Sequence, residues 1–318
     1  MKKIREKKKK VPALVNEIWN HKVEQDYEEN THISYSKLVH YATCPRQWEA
    51  IHLTEEFPVQ PSIHMTFGTA IHETIQSWLE VLYHFKVKDA DAMELDVMLY
   101  NSMIQAYIED RKRNGDVDFS DEDELQKFFL DGKHILEYLK KKRRTYFTTK
   151  GVYLAGIETV LYRELRPKVY FKGKIDLVFY DERVDRWLIV DIKTSTKGWN
   201  KYQKSDDHKK AQVLLYKHYF SEQFNIPLDK IDVLYFIVKR HIPVDAEFAI
   251  MQRRVQEFKP PAGPRKMKQA IQLLNNFVEQ TVGQDGKYIS KKYSTTPSID
   301  ACKFCELKKN RKCPDAIF

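Results

Sequence analysis

No run of apolar residues in this chain is long enough to cross a bilayer as a helix. The basic opening, MKKIREKKKK, has no hydrophobic segment behind it, so it does not read as a secretory signal, and a reducing, cytoplasmic setting is expected. The phosphate-cradling sequence Gly-x-x-x-x-Gly-Lys-Ser/Thr is absent, which excludes the commonest nucleotide-hydrolysing loop. There is no internal repeat. Cysteine is scarce, with four in 318 residues. What remains is 42% apolar and 31% charged, with a mean hydropathy of −0.60. That composition suits a soluble protein with one large core, or a core plus a helical subdomain. The net charge is +9, but the first ten residues hold seven Lys/Arg against one Glu, leaving only +3 for the rest. The basic excess therefore belongs mostly to a tail, expected to be disordered over residues 1–30 and able to attract nucleic acid or anionic surfaces.

Hydrophobic periodicity predicts a helix over Ile33 to Leu53, capped by Ser34 or Ser36. A second helix is expected over Phe67 to Phe85, where Ile71, Ile75, Trp78, Leu79 and Leu82 recur at helical spacing. Residues 90–147 read as helical with a break near Arg113–Asp118. Strands are expected at Val152–Glu164, Val169–Tyr180 and Trp187–Lys193. A helix at Asp206–Phe220, a strand at Ile231–Lys239 and a last helix at Arg265–Val282 follow. The order implies a mixed α/β core carrying a helical insertion. The expected divisions are the tail to residue 30, N-terminal helices at 31–85, the insertion at 86–150, the core at 151–285 and a cysteine-bearing end at 286–318.

The chemistry concentrates in Phe171 to Thr194. With side chains alternating at period two, Phe171, Gly173, Ile175, Leu177 and Phe179 are expected on one face, and Lys172, Lys174 and Asp176 on the other. In the next strand Leu188, Val190 and Ile192 face a core while Asp191 and Lys193 face away. A hairpin turning at Asp181–Arg186 brings Asp176, Asp191 and Lys193 together. Two carboxylates and an ammonium so placed can hold a divalent cation against a phosphodiester. His72 lies beside an apolar helix stripe with Gln76 one turn on. Gln212 and Tyr216, four apart, share a helix face. Cys302-x2-Cys305 and Cys313 are closely spaced near one end, with Cys44 far upstream. Four thiolates can hold a [4Fe–4S] cluster or a zinc ion, or the four can form two disulfides or stay free.

The series Gly68-Thr-Ala-Ile-His72, Gly173-Lys-Ile-Asp176, Asp191-Ile-Lys-Thr194 and Gln212-Val-Leu-Leu-Tyr216 resembles the PD-(D/E)XK nuclease superfamily, most of all its RecB/AddB/Cas4-like branch. The resemblance implies a restriction-endonuclease-like α/β core, a central mixed sheet flanked by helices, with a helical insertion and a C-terminal iron–sulfur segment. It implies that His72, Asp176, Asp191 and the Ile192 carbonyl ligate Mg2+ or Mn2+. It makes Lys193 the catalytic lysine, and Gln212 and Tyr216 the groups that position DNA. Asp191 stands where many members have Glu, matching the Asp-x-Lys variant. Glu158, on the first strand, is a further acidic candidate. Nucleases of the AddB and Cas4 type, and Exo5-like exonucleases, carry one cysteine before the nuclease core and three after it. The same layout here implies a structural [4Fe–4S] cluster on Cys44, Cys302, Cys305 and Cys313, with Zn2+ as the alternative.

The function so implied is a metal-dependent DNA exonuclease acting on single-stranded ends in recombination, replication or repair. Its rivals are a non-catalytic DNA-binding subunit and an accessory nuclease of a helicase–nuclease or Cas4-like complex. Possible partners are a separate helicase or a single-strand-binding protein. The loop Lys197-Gly-Trp-Asn-Lys-Tyr-Gln-Lys204 interleaves aromatic and basic residues suited to single-stranded nucleic acid. The run Lys140–Arg144 is a second candidate phosphate track, and the insertion is expected to arch over the site.

Overall fold

One long strand organises the fold by changing partners halfway along its edge. In a computed structural model that describes residues 11–23, 30–57, 59–243 and 252–317, the chain opens with α1 (Ala13–Trp19), β1 (Thr31–Ile33), α2 (Tyr35–Thr43) and α3 (Pro45–Trp48), the last running into a π turn at Glu49–Leu53. There follow α4 (Ile63–His84), α5 (Val87–Ala92), α6 (Leu95–Arg113), α7 (Glu122–Lys141) and α8 (Arg143–Tyr146). Then come β2 (Val152–Arg166), β3 (Val169–Asp181), β4 (Arg186–Ser195), α9 (Lys201–Ser205), α10 (Asp207–Phe224), β5 (Ile231–Lys239), β6 (Val255–Phe258) and α11 (Pro264–Thr281). Two short helices, α12 (Ile299–Cys302) and α13 (Glu306–Lys309), close the described chain. None of the described helices is long and apolar enough to cross a membrane.

The sheet is mixed. One edge of β3 pairs antiparallel with β2 along almost its whole length. Its other edge is shared: Val169–Phe171 pairs parallel with β1, and Leu177–Asp181 pairs antiparallel with β4. Between Phe171 and Leu177 that edge has no strand partner among the described residues, so the sheet forks there. β4 and β5 are parallel, joined through α9 and α10 as a parallel pair requires, and β6 completes the sheet antiparallel to β5. Helices cover both faces. Under α10 and α11 lies a core that includes Phe171, Ile175, Val178, Ile189, Phe220, Tyr235 and Phe277. Under α4 and the insertion lies a second, built from Ile71, Trp78, Leu136, Leu177, Phe179, Val190 and Phe236 among others.

Several sequence-based expectations need correction. The helix expected over Ile33–Leu53 breaks at Cys44, which is extended (φ −160°, ψ 111°) because the pyrrolidine of Pro45 disfavours helical backbone just before it. Ser34 caps α2 by accepting from the Lys37 N–H. Part of the stretch assigned to a disordered tail forms α1, whose Val15 and Ile18 are buried in the first core. Residues 1–10, the lysine-rich part, lie outside the described residues. The single alternation expected along β3 also fails. Phe171 and Ile175 enter the core under α10, whereas Leu177 and Phe179 enter the one under α4. The strand therefore switches faces at Asp176, opposite Glu158, whose backbone is left-handed at φ 51°. The insertion packs as a layer against α4, the helix that carries His72. Arg240, just past β5, ties it down by stacking 3.8 Å over Phe128 and bonding Asp131 and the Thr196 hydroxyl.

Candidate active site at the fork of the sheet

Where β3 and β4 part, side chains complete the hydrogen bonding that the strands abandon. Asp176 Oδ2 accepts from the Ile192 N–H at 2.6 Å, so a carboxylate fills a ladder position at the mouth of the fork. The Tyr216 hydroxyl, reaching in from α10, accepts from the Lys174 main-chain N–H and takes a 3.3 Å hydrogen bond from Gln212. Gly173 makes that approach possible, since a Cβ there would lie 2.8 Å from the Tyr216 ring. From the opposite face α4 delivers His72, whose Nδ1 is 3.7 Å from Asp176 Oδ2 and whose ring bonds the Ile192 carbonyl. The fork thus lets groups from both layers meet. His72, Asp176, Asp191, Ile192, Lys193, Gln212 and Tyr216 all converge on it.

Asp191 is 1% exposed. Lys193 Nζ lies 2.8 Å from its Oδ2 as an ion pair, and among the described residues this buried oxygen has no other polar partner. Burial pushes the Asp191 carboxyl up to about 6, against the pull of Lys193, and the nearby Asp176 charge pushes the same way. Burial likewise raises Asp176 to about 6, opposed by Lys193 and by the Ile192 N–H. The same desolvation lowers His72 to about 4, leaving a neutral imidazole at neutral pH. Two buried carboxyls, ionised at neutral pH against the cost of burial, and a neutral imidazole are a donor set that suits a hard dication. As placed, no three His, Cys, Asp or Glu side chains among the described residues stand close enough to form a metal shell.

Further groups belong to this neighbourhood. Glu158 faces Asp176, pairs with Lys174 at 2.9 Å and accepts from Gln76 at 2.7 Å. Gln76, almost fully buried, also donates to the Asp176 carbonyl at 3.3 Å. Its position one turn after His72 was the available signal. Tyr35 and Tyr235 stand near enough to Asp191 for its charge to raise both phenols, after desolvation as the larger cause. Nothing in the sequence marked Tyr35, because the fold alone carries it to β4.

The expected nucleic-acid loop is altered by packing. Trp199 is turned inward, 4.8 Å from the Tyr235 ring and beneath Lys209, so only Tyr202, 71% exposed, is free to stack. In the run Lys140–Arg144, Lys140 bonds the Met93 carbonyl and Arg143 pairs with Asp91, while Lys141, Lys142 and Arg144 stay exposed.

At the far side of the first core, Cys44 ends α2 and meets the C-terminal segment. The Arg46 N–H bonds the Ser294 carbonyl, and Glu56 bridges Arg46 and Lys312. The Cys313 thiol is raised by burial and by the proximity of Cys305 and Cys44. Cys302 precedes Cys305 in the α12–α13 turn and is buried. All four thiols are free of disulfides.

Comparison with known proteins bears on the fold and the family. A crystal structure of a protein from Eubacterium rectale, provisionally named an exonuclease, aligns over 93% of this chain and 97% of its own at 12% identity, with a TM-score of 0.50. That likeness is one of fold. The crystal structure of SSO0001 aligns over 96% of each chain, also at 12% identity, but its TM-score of 0.36 is too low to bear on the comparison. No curated protein matches the chain. The model of the PD-(D/E)XK nuclease superfamily matches residues 32–310, which span β1 to the cysteine segment, and the chain belongs to that superfamily.

Proposed function

We propose that this member of a hydrolytic nuclease superfamily is a Mg2+- or Mn2+-dependent deoxyribonuclease of the RecB/AddB/Cas4-like, Exo5-like kind, removing nucleotides from single-stranded ends. The observation that carries this reading is the convergence of Asp176, Asp191, His72 and Lys193 on the fork, with Asp191 Oδ2 buried and partnered by the Lys193 ammonium alone among the described residues. Asp176, Asp191, His72 and the Ile192 carbonyl would hold the cation. Once bound, it would supply a lowered water pKa and offset charge at phosphorus. The remaining work falls to the chain's own side chains. Lys193, one-third exposed and fixed beside Asp191, would orient a water and balance the oxyanion that forms on attack. Gln212 and Tyr216, held to each other and to β3, would fix the phosphate in line with that water. Tyr202 and the exposed Lys141, Lys142 and Arg144 offer stacking and phosphate contacts to a strand.

In the same reading Cys44, Cys302, Cys305 and Cys313 hold a structural [4Fe–4S] cluster in a reducing cytoplasm. Closing a chain loop from Cys44 to Cys302 costs about 5 kcal/mol of entropy, which metal–thiolate bonding exceeds. Recombination, replication or repair, in company with a helicase or single-strand-binding protein, is the corresponding role. The test is digestion of end-labelled linear single- and double-stranded DNA, and of closed circular single strands, with Mg2+ or Mn2+. Linear strands should shorten with wild type and persist with Asp191→Ala. Circles cut as fast as linear strands would remove the requirement for an end.

A further inference from the structure

The outer side of α6 carries an apolar row that stays about half exposed, its one aromatic contact being the edge of Tyr100 against Phe129. Val97, Tyr100, Ile104 and Ile108 are 50%, 54%, 40% and 45% exposed. Leu95, Leu99 and Met103, on the other side, are buried in the core shared with α4 and α7. Steps of three, four and four keep the exposed residues in one line, roughly 16 Å long. A solvent-facing helix side ordinarily reads polar. Single exposed apolar residues need no explanation, but a continuous row of four does.

Charge is ordered along the same row. Glu94 and Asp96 stand at the N-terminal end of α6, with Arg111 and Lys112 at the C-terminal end. Asp96 is engaged by Lys133 and Arg111 by Asp118, while Glu94 and Lys112 are both exposed. Those two are about five full helical turns apart, so they flank the row along the same edge.

We propose that this face pairs with the same face of a second copy of the chain, antiparallel, about a twofold axis at the level of Met103. Val97 then packs on Ile108 of the partner subunit, and Tyr100 on Ile104 of the partner subunit. By symmetry Glu94 meets Lys112 of the partner subunit at both ends of the contact. Parallel pairing would set like charges together at each end instead. The contact closes on itself, so it yields dimers rather than filaments. A single helix pair buries about 1,000 Å2 or less in total, so association in the micromolar range or weaker is expected. The sheet fork takes no part.

Sedimentation equilibrium of the full chain, up to a concentration on the order of 10⁻⁴ M, should show a monomer–dimer equilibrium. Ile104→Glu should abolish the dimer and leave the melting temperature unchanged. Glu94→Lys and Lys112→Glu should each weaken self-association about tenfold. Mixing those two variants should restore dimers, because each chain then meets opposite charge at both ends. A wild type monomeric throughout, a dimeric Ile104→Glu, or a mixture no more associated than either variant alone would each overturn the pairing.

Discussion

Asp191→Asn should stabilise the metal-free protein while removing its activity. The carboxylate is buried, and its ordinary value of 3.8 is raised to about 6, first by desolvation and against the attraction of Lys193. A raised native value means that the folded state binds the proton more tightly than the unfolded chain. The associated stability is complete below pH 3.8 and is lost as pH rises through about 6. At pH 7.5 the ionised group thus carries its full burden, roughly 3 kcal/mol at 1.36 kcal/mol per pH unit. That burden is already net of the Lys193 attraction, and asparagine keeps the shape without the charge, so a gain of up to about 3 kcal/mol is expected. Urea unfolding in EDTA at pH 7.5 measures this directly. With Mn2+ present the order should reverse, because wild type gains binding energy that the variant cannot. A variant less stable than wild type in EDTA would show that the Asp191 charge is satisfied within the apo fold, and the reasoning would fail.

Other outcomes follow from the same geometry. Lys193→Ala should cut turnover about 100-fold or more while leaving DNA binding in Ca2+, measured by anisotropy, nearly unchanged. Gly173→Ala should cost about 1–3 kcal/mol in urea unfolding, since its Cβ would press on the Tyr216 ring from 2.8 Å. Tyr216→Phe should cost about 1 kcal/mol by freeing the Lys174 N–H, and should lower activity more than stability. Cys305→Ser should lower the melting temperature and bleach the brown visible absorption of protein purified without oxygen. An unchanged spectrum and melt would remove the cluster from the account.

The parts legible in sequence were those written in local periodicity. Ile71, Ile75, Trp78 and Leu82 repeat at helical spacing, and β4 alternates Trp187, Ile189 and Asp191 against Leu188, Val190 and Ile192, so α4 and β4 could be read directly. Short elements could not. β1 has three residues and β6 four, too few for a period to emerge, and each exists because a neighbouring strand offers an open edge. The break at Cys44 has a local mark in Pro45, which disfavours helical backbone just before it. The face switch at Asp176 was out of reach because it depends on β3 exchanging β1 for β4, a tertiary event with no local signature. Trp199 shows the same limit. An aromatic among lysines suggests a stacking platform, yet Trp199 packs against Tyr235 and Phe258 and is half-buried. His72, Asp176, Asp191, Lys193, Gln212 and Tyr216 could be proposed from their motifs and Tyr35 could not, while the means of bringing His72 and Tyr216 to one point from opposite faces was visible only in the fork.

A crystal soaked in Mn2+ and measured at the manganese absorption edge tests that fork most directly. An anomalous peak bounded by His72, Asp176, Asp191 and the Ile192 carbonyl, with the Lys193 ammonium beside it, is the expected result. Fully loaded crystals with manganese elsewhere and no peak between the two carboxylates would contradict it.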